Sequence, residues 1–175
     1  MIRIGLAFAF SFAVLATPAY SCSVERIASS SELISRAEII VRARAEGLAA
    51  TKARVGILGI LSGGTTQVRL RVLEVLKGTF PTTTIEVAGS VSEQDDPNDR
   101  PAPYDLVRAG GRRGNCFAVE YRQGAEYLLM LARASHPAYA APDDLTPYWA
   151  PLAATNEQVF GADDPWLVWV RSALF

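Results

Sequence analysis

The stretch "QVRLRVLEVLKG", residues 67–78, constrains the fold more than any other. Val68, Leu70 and Val72 alternate with Arg69 and Arg71, the period-two pattern of a strand with one buried face. Leu73 and Val75 then take the apolar places, so the phase slips by one residue. A slip within one strand calls for a β-bulge, or for a bend that turns the strand from one sheet face to another. Small closed barrels need such bends.

Other segments agree with a small β protein. In "EIIVRARAEG", residues 38–47, Ile39, Val41, Ala43 and Ala45 share one face while Arg42 and Arg44 share the other, which predicts a strand. Ahead of it, Ser29 caps a short helix over residues 29–37, and Glu32 three residues on completes a capping box. The glycine-rich "SGGTT" turn predicts a hairpin between residues 53–61 and 67–78. Further strands are expected in "TTTIEVAG", "CFAVEY" and "AEYLLMLARA", with the last two joined by the turn "RQG". Residues 90–114 are acidic and proline-rich, then basic and glycine-rich, and read as a long surface loop. "LTPYWAPLAATNEQVFG" reads as extended. Asp164 as N-cap and Pro165 at the first helical position open a final helix, with Trp166, Trp169 and Val170 on one side. The expected fold is mainly β: a small closed OB-type barrel with a short N-terminal helix and a C-terminal helix.

The amino terminus addresses the chain for export. One positive charge at Arg3 precedes the apolar run of residues 5–16, the length of a signal-peptide core and short of the roughly twenty residues that span a membrane. Pro18 ends the run, and Ala19 and Ser21 are small residues at −3 and −1 of a cut before Cys22. Plain cleavage there is expected, and lipidation of Cys22 is the alternative, although bulky Tyr20 fits a lipoprotein signal poorly. The chain thus divides into a signal peptide (1–21), a barrel domain (22–144) and an aromatic-rich C-terminal extension packed on the barrel (145–175). The destination is periplasmic or extracellular, with no transmembrane segment after cleavage. Cys22 and Cys116 are the only cysteines, and in an oxidising compartment they most simply form one disulfide. Such a crosslink is worth about 4 to 5 kcal/mol in the chain-entropy account.

Little in the sequence suggests catalysis. The single histidine, His136, precedes Pro137 without a cysteine or carboxylate at ligand spacing, and reads as a solvated loop residue. The chain has no G-x-S-x-G elbow and no phosphate-binding glycine loop, so no enzyme, metal or cofactor is expected. "DDPNDR" clusters three aspartates without EF-hand spacing and reads as a solvated loop. Arg108, Arg112 and Arg113 are expected to pair with it at the surface. A net charge of −1 gives no general attraction for nucleic acid. Arg42, Arg44, Arg69 and Arg71 read as solvated residues of the barrel's outer face. Trp149, Trp166 and Trp169, with Tyr148 and Phe160, are expected to fasten the final helix to the barrel. The polar "TNEQ" beside them, Thr155 to Gln158, has no assigned mechanism.

Three motifs in order carry a resemblance: "SELISRAEIIVRARAEG" behind Cys22, then "VRLRVLEVLKG", then "NCFAVEYRQGAEYLLMLAR" with Gly124, Tyr127 and Leu128 after its cysteine. Over residues 22–132 the chain resembles exported bacterial proteins of the netrin-module type, which share the OB-fold of the tissue inhibitors of metalloproteinases. The tail from Leu145 to Phe175 lies outside it. The resemblance implies a non-enzymatic module that binds a protein partner, with metalloprotease inhibition as its sharpest form. It implies that the α-amino group and carbonyl of Cys22 would chelate the protease's zinc and that Ser23 would enter the specificity pocket. Val24 stands where those inhibitors have a second cysteine, and "VERIASSS" replaces their proline-rich ridge. A structural or envelope-associated protein, anchored at a lipidated Cys22, is the alternative reading.

Overall fold

Alternation along the first long strand sets the architecture. The computed structural model describes residues 24–49, 54–55, 61–62, 66–134 and 144–175. Strand β1 (Ile39–Leu48) lies between β4 (Gln67–Lys77) and β8 (Glu126–Arg133), antiparallel to both. β5 (Thr84–Ala88) extends the sheet beyond β4, and β10 (Asn156–Val159) extends it beyond β8, in the order β10-β8-β1-β4-β5. β9 (Leu145–Thr146) also pairs with β8. After Gly89 the chain of β5 continues as β6 (Ser90–Ser92), which runs parallel to β7 (Glu120–Arg122), the strand that leads into β8. The two ends of the sheet thereby come round toward each other, and the five-stranded sheet is nearly closed and barrel-shaped, with one helix near each end of the chain. This is the small mainly-β barrel with two helices that the sequence predicts.

The slip read in residues 67–78 is a pair of irregularities in register. Arg42 faces Glu74 and Ala43 faces Val72, so Leu73 has no partner on β1; Leu76 is skipped in the same way between Val75 and Lys77. Ahead of the slip, Val68 and Leu70 point into the barrel with Val72 beside them; beyond it, Leu76 packs on the opposite side. The bulges let one strand serve both faces of its sheet.

Two apolar cores result, and they share β8. Tyr127, Leu129 and Leu131 face the barrel interior with Val41, Ala43, Leu70 and Val87, while Leu128 and Met130 face outward. The outer core is completed by helix α1 (Ser30–Arg36), helix α2 (Pro165–Ala173), Trp149 and Tyr104. The rings of Tyr104, Trp166 and Trp169 stack in series at 5.0 and 5.2 Å, which fastens α2 to the barrel. The N-cap residues are those the sequence predicts, but the expected capping box is only half made, because the Glu32 carboxylate accepts from Arg26. Ser29 Oγ accepts from the Glu32 N–H, and Asp164 accepts from the N–H groups of both Trp166 and Phe160.

Two expectations need correction. Residues 67–77 pair with β1 and β5 rather than with the segment before the glycine-rich turn; β2 (Arg54–Val55) and β3 (Leu61–Ser62) pair with each other instead. Residues 90–114 are not a simple surface loop. They contain β6, a 3₁₀ turn at Ala109–Arg112, and the buried Tyr104, Val107 and Arg108. In the tail, β9 and β10 enter the barrel sheet itself. Residues 1–21, where a signal peptide is expected, lie outside the described residues, as do Cys22, Ser23 and His136.

Because Asp164 holds two N–H groups at the start of α2, Asp164→Ala should lower stability by about 1 to 2 kcal/mol. Asp164→Asn should lose less. Urea unfolding followed by tryptophan fluorescence reads both.

Candidate functional site

Strand alternation places Asn156 and Gln158 on one face of β10 and Glu157 on the other. All three are buried, as is Thr155 before them, so the "TNEQ" tetrad is core rather than surface. Asn156, Glu157 and Gln158 each find partners in residues 95–121. The Gln158 carbonyl accepts from the Asp96 N–H at 2.7 Å, and its amide donates to Asp95. Asn156 Nδ2 donates to the Ala118 carbonyl and to Tyr121 Oη. Glu157 accepts from the Arg108 backbone N–H at 3.1 Å and from Asn98 Nδ2 at 2.8 Å.

Arg108 occupies the centre of this group, and its side chain is fully buried. Its Nη1 donates to Asp96 Oδ2 at 2.6 Å, its Nε to the Asn156 carbonyl at 3.1 Å, and its Nη2 to the carbonyls of Ala118 and Glu120. The guanidinium also lies 5.6 Å from the ring centroid of Tyr121 and 5.3 Å from that of Tyr127. Asp96 is held in turn by the Gly110 N–H at 3.1 Å. A side chain at position 110 would put its Cβ 2.5 Å from Asp96 Oδ2, so the 3₁₀ turn needs a glycine there. The expected surface pairing of Arg108 with the aspartate cluster is therefore a buried one; Arg112 with Asp99 is the exposed version. Among the described residues, no ion pair or hydrogen bond engages the exposed Arg113 guanidinium. Arg113 lines a small polar depression beside Asp96 with Ser92, Gln94, Asp95, Gly110 and Glu120.

Burial sets the protonation of this group. Glu157 is pushed up to about 7, because burial outweighs the opposing pull of Arg108, Asn98 and the Arg108 N–H. Burial pulls Arg108 down, but the nearby Glu157, Tyr121, Tyr127 and Asp96 outweigh it and hold its pKa above the usual arginine value. Tyr127 and Tyr104 are pushed up to about 12, chiefly by burial. Asp95 lies below the ordinary carboxylate range, held by the Gln158 amide and then by Arg122.

A hydrogen-bond chain runs from this group into the barrel. The Tyr148 hydroxyl donates to the Ala88 carbonyl, so Tyr121 donates to Tyr148, and Asn156 donates to Tyr121. A raised carboxyl pKa is a common mark of acid–base catalysis. Here, however, both carboxyl oxygens of Glu157 face donors of the protein itself, and the residue is fully buried. The arrangement is a clasp that holds residues 95–112 onto β10. Among the described residues, no group of three or more histidine, cysteine, aspartate or glutamate side chains is placed to hold a metal ion.

Outside the barrel, Arg42, Arg44, Arg69 and Arg71 are not simply solvated. Arg44, Glu126, Arg42, Glu74 and Arg171 form a continuous chain of ion pairs from β8 across β1 and β4 to α2. Arg69 pairs with Glu86, and Arg71 with Glu46. Among the described residues no helix is long and apolar enough to cross a membrane.

Of the residues singled out from the sequence, Cys116 is described. It is half-buried against the barrel core with a left-handed backbone (φ 61°), and its carbonyl accepts from the Leu152 N–H at 2.7 Å. Cys22 and Ser23 lie outside the described residues. Sequence reasoning paired Arg108 with the aspartate cluster but at the surface, and it missed Glu157, of which the unassigned "TNEQ" was the trace. No protein-family model matches the chain, and no curated protein matches it.

Replacing Arg108 with Met should destabilise the fold by about 3 to 5 kcal/mol, because it leaves Asp96 and Glu157 without their cation. Tyr121→Phe breaks the hydrogen-bond chain in the middle and should cost about 1 to 3 kcal/mol. Chemical denaturation of the three proteins side by side checks both values.

Proposed function

We propose that this chain is an exported, non-enzymatic protein-binding module of netrin type. Its contact point is the mature amino terminus at Cys22, tied by a disulfide to Cys116. Inhibition of a zinc metalloprotease, with the Cys22 amine and carbonyl on the metal and Ser23 in the specificity pocket, is the sharpest form of the reading. The observation that carries it is the anchoring of the residues directly behind that terminus. Ile27 and Ala28 pack against the outer core, and Arg26 makes two hydrogen bonds to Glu32 at 2.7 and 2.9 Å. A segment held in this way would present Cys22 and Ser23 with little ordering cost on binding.

Two further observations favour a binding module over an enzyme or a nucleic-acid partner. The charged side chains inside the protein are engaged with one another in holding residues 95–112. The outer-face arginines are matched by glutamates, which removes the free positive charge that a phosphate backbone would need. Trp149 and Trp166 are buried in the outer core, so an envelope anchor would have to come from lipid on Cys22 rather than from these aromatics.

Intact mass and amino-terminal sequencing of the exported protein test the reading first. A chain beginning at Cys22 and two hydrogens light is the expected result. Inhibition of a zinc metalloprotease should then follow, and an extra alanine ahead of Cys22 should abolish it by blocking the amine. A mass raised by acyl and diacylglyceryl groups would overturn the inhibitor reading in favour of an envelope lipoprotein.

A further inference from the structure

We propose that residues 95–112 form a proton-operated clasp, closed most firmly over β10 when Glu157 carries a proton. The geometry of one carboxyl group supports this. Glu157 is fully buried, and both groups bonded to it, the Asn98 amide and the Arg108 N–H, belong to the clasp. The nearest cation gives it no side-chain hydrogen bond: the Arg108 guanidinium is spent on Asp96 and on the carbonyls of Asn156, Ala118 and Glu120. An ionised Glu157 therefore sits in the closed clasp with two neutral donors and a cation shared with a competing carboxylate. Opening the clasp would give it water instead.

The other titratable groups around it lie on the clasp and on the strands beside it. From the clasp itself come Asp96, Arg108 and Tyr104; from β7 and β8 come Tyr121 and Tyr127, which lie against Arg108. The three tyrosines are held above their ordinary values by burial, and Arg108 stays charged. Asp95, bonded by Gln158 and Arg122, and Asp99, bonded by Arg112, are held below the usual aspartate range.

The sign follows from the two states. Glu157 takes up its proton near 7 in the closed clasp and near 4.5 when exposed. The stability it adds is complete below about 4.5, is lost as pH rises, and is gone above about 7. The opening constant should rise by up to about tenfold per pH unit within that window and then level off.

Hydrogen exchange at the Asp96, Arg108 and Gly110 amides, from pH 5 to pH 8 and corrected for intrinsic rates, reads that constant directly. The wild-type protein should show the rise and the plateau, with the amides of β1 unaffected. Glu157→Gln should remove the pH dependence, while His136→Gln should leave it intact. A flat wild-type profile, or a slope that survives Glu157→Gln, would overturn the proposal. Should Glu157→Gln fail to fold, the carboxyl carbon-13 shift of Glu157 in the wild-type protein decides: titration within a unit of 7 sustains the clasp, and titration below 5 ends it.

Discussion

A single buried guanidinium holds residues 95–112 against the barrel. Arg108 lies beneath residues 95–112 and bonds the backbone of β10 at Asn156, the strand entrance at Ala118 and Glu120, and the carboxylate of Asp96. A cation removed from water is tolerable only where its donors are met and a counter-charge is close. The aspartate, three carbonyls and two tyrosine rings supply both. Without that guanidinium, Asp96 and Glu157 would lose their nearby cation, and the carbonyls of Asn156, Ala118 and Glu120 would each lose a donor. Such a centre acts less through net energy than through the geometry it demands.

That demand falls most heavily on β10. The strand has four residues and, among the described residues, pairs only with β8, so its backbone alone fixes its register weakly. Its side chains fix it instead. A slip of one residue would turn Glu157 toward the tyrosines of the barrel and swing Asn156 and Gln158 away from Tyr121 and Asp96. Each alternative leaves several buried polar groups unsatisfied. Three consecutive polar residues on a fully buried strand, costly in isolation, thereby specify one pairing.

The elements whose causes are local were legible in the sequence. Ser29 with Glu32, and Asp164 with Pro165, announced both helices; the alternation in residues 39–45 announced β1; and the slip at Leu73 announced the bulge that lets β4 serve two cores. The candidate site was legible only in the pairing of Arg108 with the aspartate cluster, because the rest of its logic is non-local. Asp96 and Glu157 are far apart in sequence, and a polar run such as "TNEQ" reads the same whether solvated or matched by a buried arginine. Residues 90–114 have a composition typical of exposed loops, and only the partner strand reveals that Asp95 and Asn98 bond the side chains of β10 and that Asp96 meets the buried Arg108. Outer-face arginines are ambiguous for the same reason, since the glutamates that neutralise Arg42 and Arg44 come from β4 and β8.

The two cores are coupled through β8 and through the polar group at its edge. Leu129 and Leu131 fill the barrel while Leu128 and Met130 receive the helices, so a shift of β8 disturbs both sides. β10 pairs with that strand, and on its opposite faces Asn156 reaches the tyrosines inside the barrel while Glu157 reaches the clasp outside. Closure of the clasp and packing of the barrel therefore bear on the same four-residue strand. A change of charge at Glu157 acts where the interior hydrogen-bond chain begins, so protonation outside the barrel bears on order within it.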